Sequence, residues 1–160
     1  MRLTRAERRA QGAAAEDRFR AWLDRCRLPH LYVEQSPFTF PEGLHGQIKR
    51  PDFLVGVPSI GTIALDVKSK RAYQNTILID ADEHRTLLTF ETFFNISVWF
   101  VVWPPGEQHI CHLVLNRSLA GLDVATINGR AVVAVPLKAM RAADERRDFM
   151  AALLGAIRLP

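Results

Sequence analysis

Cysteine is rare in this sequence, which argues against several kinds of protein. Only two of the 160 residues are cysteines, Cys26 and Cys111, and neither belongs to a CxxC motif. Both lie among apolar residues, where a buried thiol is the usual outcome. We therefore expect neither a disulfide framework nor a cysteine-based zinc site, and a chain of this length can bury a core without them.

Long hydrophobic runs are also missing. The longest apolar stretch, residues 96–103, is too short to cross a bilayer, and the N-terminus begins with charged residues instead of an apolar signal segment. Hydrophobic residues make up 48% of the chain and charged residues 24%, which is typical of a globular protein. Without repeats, low-complexity segments or linkers, residues 1–160 are predicted to form a single domain of a soluble, cytoplasmic protein.

Lysine is the scarce cation. Of 21 lysine and arginine residues only four are lysines, and three of these, Lys49, Lys68 and Lys70, lie in or beside residues 50–70, RPDFLVGVPSIGTIALDVKSK. A chain that otherwise uses arginine therefore places compact, titratable ammonium groups here. The net charge of +4 is modest. It favours a polyanionic partner because cations are concentrated in this stretch and in the arginine-rich N-terminal segment.

The hydrophobic pattern predicts the order of helices and strands. Apolar residues at helical spacing indicate helices, and alternating or continuous β-branched runs indicate strands. The predicted elements are a helix at about 5–27, strands at 31–38, 52–57 and 62–69, a helix at 80–95, strands at 96–103 and 109–116, a short strand at 131–135 and a final helix at about 139–157. This αβββαβ order with additional C-terminal strands and a helix predicts an α/β fold with a mixed central sheet flanked by helices.

Two predicted strands of one hairpin carry charges that a buried strand does not need. Asp66 and Lys68 must share a face because strand side chains alternate, and Asp52 enters the neighbouring strand beside them. Two close carboxylates are tolerable mainly with a cation between them, and their hard oxygens suit Mg²⁺ or Mn²⁺. A divalent ion with a nearby lysine can hydrolyse a phosphodiester.

These residues resemble a known enzyme motif. The pair PD at 51–52, followed by the triplet DVK at 66–68, resembles the PD-(D/E)xK nuclease superfamily, whose restriction-endonuclease-like core has the same αβββαβ order. The resemblance covers about residues 8–103 and includes GAAAE at 12–16, which resembles the G-x-x-x-E at the start of archaeal-type Holliday junction resolvases. The second acid is aspartate instead of the more frequent glutamate. No Gln-x-x-x-Tyr pattern follows, which argues against RecB-like exonucleases.

The resemblance implies roles for individual residues. Asp52 and Asp66 would bind Mg²⁺ or Mn²⁺ directly, with Glu16 and the backbone carbonyl of Val67 completing the ligands, while Lys68 would act on the attacking water. The residues expected to contact nucleic-acid phosphates are Lys49, Arg50, Ser69, Lys70 and Arg71. The implied protein is a metal-dependent endonuclease that cuts branched or duplex DNA as a homodimer.

Several alternatives remain open from the sequence. Glu7 and Asp17 compete with Glu16 for the role of third acid, and Glu34 in the first predicted strand is a further candidate. The chain could also be a DNA-binding or assembly subunit that keeps the nuclease fold without catalysis. An RNA nuclease would use the same residues, and the sequence does not distinguish the two substrates.

Overall fold

The computed structural model describes residues 4–36 and 41–157. In this part of the chain the helices are α1 (Arg5–Arg25), α2 (Ala81–Phe94) and α3 (Phe149–Ala156). The strands are β1 (His30–Tyr32), β2 (Phe53–Val57), β3 (Gly61–Ser69), β4 (Thr76–Asp80), β5 (Val98–Trp103), β6 (Ile110–Leu115), β7 (Val124–Ile127), β8 (Arg130–Pro136) and β9 (Arg141–Asp144). Short 3₁₀ helices occupy Glu42–Leu44, Asn116–Gly121 and Leu137–Ala139.

The strands form a mixed six-stranded sheet and a smaller antiparallel sheet. The larger sheet has the order β1-β2-β3-β5-β6-β9, and the smaller has the order β4-β8-β7. In the larger sheet β3 and β5 are parallel, whereas the other neighbours are antiparallel. Parallel neighbours need a crossover connection, and β4 followed by α2 provides it.

Apolar layers cover both faces of the six-stranded sheet. On one face, α1 and α3 place Phe19 and Phe149 against Leu65 of β3. On the opposite face, α2 and the smaller sheet cover Ala64, with Leu87 in the same cluster. All six residues of β5 are buried, as expected for a central strand that is covered on both sides.

Side-chain caps fix where the two long helices begin. Thr4 and Glu7 form a capping box at α1: the Thr4 hydroxyl accepts from the Glu7 N–H at 3.2 Å, and the Glu7 carboxylate accepts from the Thr4 N–H at 2.7 Å. The Asp80 carboxylate accepts from the N–H groups of Asp82 and Glu83, at 3.0 and 3.3 Å. This second cap holds Glu83 in the first turn of α2, next to the end of β4.

The structure corrects several predicted boundaries. Within the described residues the first strand ends at Tyr32, and residues 37–38 of the predicted strand lie outside the described part. β4 and β7 were not predicted. The predicted helix at 139–157 was wrong at its start, because residues Arg141–Asp144 form β9 instead and α3 begins only at Phe149.

Long-range pairing explains these differences. β9 is hydrogen-bonded along β6, and β4 along β8, so both strands depend on partners distant in the sequence. The inward side chains of β4, Ile77 and Ile79, are fully buried in the core that α2 covers. Such tertiary contacts override the weak local preference of a short segment. Among the described helices, none has an apolar stretch long enough to span a lipid bilayer.

Candidate active site

Asp52 lies immediately before β2 and is fixed to β3 by two hydrogen bonds. Its backbone N–H donates to the carbonyl of Leu65 at 3.0 Å, and its carboxylate Oδ2 accepts from the N–H of Val67 at 2.7 Å. The two bonds engage the residues before and after Asp66. The pairing of β2 with β3 therefore brings Asp52 beside Asp66, as the sequence predicted.

Asp66 and Lys68 project from β3 toward the face covered by α2, where two further charged side chains join them. Lys49 Nζ lies 2.6 Å from Asp66 Oδ1 and also contacts Glu83 Oε1. Lys68 Nζ contacts Asp66 Oδ2 and lies 2.9 Å from Glu83 Oε1. These four side chains, Lys49, Asp66, Lys68 and Glu83, form a closed ring in which acids and lysines alternate. We call it the charge ring.

The charge ring is largely removed from solvent. The exposed fraction of the side chain is 0% for Asp66, 16% for Lys68, 19% for Glu83 and 29% for Lys49. Buried charges need partners, because the interior solvates them poorly. In the ring each lysine contacts both carboxylates, and each carboxylate contacts both lysines, so none of the four charges is left unpaired.

Burial and neighbouring charges shift the ionisation of the site residues. Burial, followed by the negative charge of Asp66, raises the pKa of Asp52 to about 7 against the opposing effects of Lys68 and Lys49. Burial also opposes ionisation of Glu83, but Lys68 and Lys49 outweigh it and lower its pKa to about 2. At neutral pH the site therefore combines a fully ionised Glu83 with an Asp52 that is poised to gain or lose a proton.

Lys68 is held in its charged form. Burial favours the neutral amine, but the negative charges of Asp66, Glu83 and Asp52 together hold the pKa of Lys68 well above its ordinary value. A lysine with a raised pKa does not accept a proton at neutral pH. In this environment Lys68 is suited to orienting a water or balancing negative charge, not to acting as a general base.

The donor atoms at this place fit a divalent cation with water ligands. Both oxygens of Asp66 contact ammonium groups, Oδ1 that of Lys49 and Oδ2 that of Lys68, so positive charge already stands where a divalent ion would bind. In a strand the N–H and C=O of one residue point to the same side. Because the Val67 N–H donates to Asp52, the Val67 carbonyl also points to the side on which Asp52 lies. Two carboxylates and one carbonyl leave room for the waters that Mg²⁺ retains.

The predicted third acid, Glu16, is paired with Tyr32. The Glu16 carboxylate accepts a hydrogen bond from the Tyr32 hydroxyl at 2.9 Å, and the Arg20 guanidinium stacks over the Tyr32 ring. This bond to Glu16 is the main reason that the pKa of Tyr32 is raised; burial and the charge of Asp52 add to it. Among the residues that the structure describes, no three histidine, cysteine or acidic side chains come together at metal-binding distances.

The other candidates for the third acid have different environments. Glu7 caps α1, Asp17 is an exposed partner of Arg20 at 3.5 Å, and Glu34 is exposed. The acid that the structure adds to the neighbourhood of Asp66 is instead Glu83. Glu83 is not among the candidates that the sequence predicted, because no local signal links the first turn of α2 to β3.

The predicted phosphate-binding residues have varied surroundings. Lys49 belongs to the charge ring, and the Arg50 guanidinium donates to the carbonyl of Ser36. Ser69 and Lys70 are half-buried at the end of β3, where burial lowers the pKa of Lys70. Arg71 is exposed.

A protein with a similar structure is the Holliday junction resolvase Hjc of the archaeal hyperthermophile Archaeoglobus fulgidus. It matches with a TM-score of 0.52 and 15% sequence identity, over 76% of this chain and 87% of the resolvase. No family model matches the sequence, and no curated protein matches it. At this identity the likeness shows the fold alone. The chain has the restriction-endonuclease-like α/β fold, which confirms the predicted fold class.

Proposed function

We propose that this protein is a metal-dependent DNA endonuclease of the PD-(D/E)xK type that hydrolyses phosphodiester bonds in branched DNA. The observation that carries the proposal is the meeting of Asp52, Asp66 and Lys68 where β2 begins beside β3. The similar fold of a Holliday junction resolvase supports it. Fold likeness alone would not suffice.

Each site residue has a chemical role in this proposal. Asp52, Asp66 and the carbonyl of Val67 would hold Mg²⁺ or Mn²⁺, and Glu16 would complete the site directly or through a water. When bound, the ion would supply Lewis-acid polarisation of the phosphodiester and a water of lowered pKa. Lys68, which is protonated in the metal-free protein, would orient that water and offset charge on the phosphorus.

Contacts with DNA would come from the basic residues around the end of β3. Ser69, Lys70 and Arg71 directly follow Lys68, and Arg50 lies shortly before β2. The exposed arginines of α1 add further positive charge. Such contacts would release counterions, so binding should weaken steeply with salt. A homodimer would place two sites on one branched substrate.

The test is cleavage of labelled four-way junctions and linear duplexes of the same sequence, with Mg²⁺ or with EDTA. We expect the wild-type protein to cut the junction only with Mg²⁺. The Asp66→Ala variant should bind the junction but not cut it, whereas Asp123→Ala, which removes an exposed acid, should cut normally. Equal cutting by the wild type and Asp66→Ala would contradict the proposal.

A second candidate function is that of a DNA-binding or assembly subunit without catalysis. It is favoured by the two lysines that engage Asp66 and by the pairing of Glu16 with Tyr32. If this is correct, the wild-type protein binds the junction without cutting it, and Mg²⁺ does not raise its melting temperature. An RNA junction of the same sequence, included in the cleavage assay, distinguishes an RNA nuclease.

A further inference from the structure

Lys49 is placed in the charge ring by the packing of its own segment. Its backbone N–H donates to the carbonyl of Thr86 in α2 at 3.2 Å, and the preceding Ile48 is buried in the core beneath α2. These contacts place the Lys49 ammonium in the ring on the side where α2 packs. Its Nζ lies 2.6 Å from Asp66 Oδ1, one of the two oxygens with which Asp66 would bind a metal ion.

The charges around Asp66 also disfavour holding Lys49 and a divalent ion together. Asp52, Asp66 and Glu83 face Lys49 and Lys68, and the neighbouring charges of Lys70 and Asp80 cancel each other, so the site carries one negative charge when Asp52 is ionised. Adding a divalent ion with both lysines in place leaves one excess positive charge in a buried site. If Lys49 leaves, the charges balance. Buried charge without a partner is costly, so the balanced arrangement is favoured.

We propose that Lys49 is the resident cation of this site: it neutralises Asp66 and Glu83 in the metal-free protein and leaves the ring when a divalent cation binds Asp66. The inference rests on the proposed function and deepens it. Lys49 and the metal compete for one carboxylate, so the affinity for metal includes the cost of displacing Lys49. Lys68 stays, because it lies on β3 beside Asp66 and is more deeply buried than Lys49.

Displacement also gives Lys49 a second position. Its side chain is the most exposed of the four in the ring, so an ammonium released from Asp66 moves toward solvent. There it can meet a phosphate of bound DNA. Metal binding would thus free Lys49 to contact DNA phosphates, which is the role that the sequence predicted for it. Lys49 would have this role only when the metal is present.

The first test measures Mn²⁺ affinity by calorimetry without DNA, so that the readout does not depend on cleavage. Removing a competing cation should tighten binding, and we expect Lys49→Ala to bind Mn²⁺ about tenfold more tightly than the wild type. Lys138→Ala, which removes an exposed lysine far along the chain, should bind like the wild type. Equal or weaker binding by Lys49→Ala overturns the inference.

The second test uses the wild-type protein and does not depend on a variant that folds. Acetic anhydride labelling followed by mass spectrometry reports how accessible each lysine amine is. We expect Lys49 to be labelled faster in saturating Mn²⁺ than in EDTA, while Lys138 is labelled equally in both. Unchanged or slower labelling of Lys49 overturns the inference.

The two experiments separate this inference from the proposed function. A wild-type protein that binds no Mn²⁺ contradicts both the metal-dependent nuclease and the role of Lys49. The wild-type protein could instead cut DNA with Mg²⁺ while its Lys49 labelling does not respond to Mn²⁺. That result would support the proposed function and contradict only the role of Lys49.

Discussion

The carboxylate of Asp52 accepts a hydrogen bond of 2.7 Å from the backbone N–H of Val67. This bond draws the Asp52 carboxyl against the strand that carries Asp66, into an environment that raises its pKa to about 7. A carboxyl in this state is neutral over part of the range in which an ordinary aspartate is ionised. Its ionisation is therefore linked to folding and, under the proposed function, to metal binding.

The first prediction concerns the stability of Asp52→Asn in EDTA. With a raised pKa, the folded wild type binds one more proton than the unfolded chain between about pH 4 and about pH 7, so its stability falls as pH rises through that window. Asparagine stays neutral. The free energy of unfolding of the variant should therefore equal that of the wild type near pH 4. Above about pH 7 it should be greater than that of the wild type, by at most about 4 kcal/mol. Urea unfolding across this range measures the difference. A difference that does not change with pH would contradict the shifted pKa.

The second prediction concerns Glu83→Gln, whose pH dependence has the opposite sign. Pairing with Lys68 and Lys49 lowers the pKa of Glu83 to about 2, so the stability it contributes is complete above its ordinary pKa and is lost as pH falls toward 2. We expect the variant to lose about 2 to 3 kcal/mol at neutral pH and much less near the acid limit. Glu34→Gln, at an exposed position, is the matched control. Equal losses at both pH values would show that the pairing is not electrostatic.

The third prediction is proton release on metal binding. A divalent ion favours the ionised carboxylate, so Mn²⁺ should displace about one proton from Asp52 below pH 7 and almost none at about pH 8.5. Calorimetry in two buffers with different ionisation enthalpies measures the number of protons. Asp52→Asn should release less. If the wild type and this variant release equal numbers of protons at low pH, the proton comes from another group.

The fourth prediction tests how α1 is attached to the sheet. The fully buried Phe19 ring makes edge or tilted contacts with the rings of Trp22, Phe53, Trp103 and Phe149, at centroid distances of 5.3–6.2 Å. Phe19→Ala should lower the free energy of unfolding by about 3 to 5 kcal/mol. Phe93→Ala removes a side chain that is 66% exposed and should change it by no more than about 0.5 kcal/mol. Similar effects of the two substitutions in denaturant unfolding would contradict the described core.

The helices α1 and α2 and the strands β2, β3 and β5 were largely predictable because each has a strong local pattern. The sharing of one face by Asp66 and Lys68 required only the alternation of side chains in a strand. The position of Asp52 required only a hairpin of ordinary register. β4 and β9 were missed because their segments are short, and each becomes a strand only through pairing with a strand far away in the sequence.

By itself the sequence determined the restriction-endonuclease-like order of elements and the proximity of Asp52, Asp66 and Lys68, because strand alternation and hairpin pairing are local rules. Only the tertiary structure decided that Lys49 and Glu83 close a ring with Asp66 and Lys68, and that Glu16 pairs with Tyr32. Lys49 and Glu83 are 34 residues apart. They meet because α2 packs over the face of β3 that carries Asp66, and no local pattern specifies that packing.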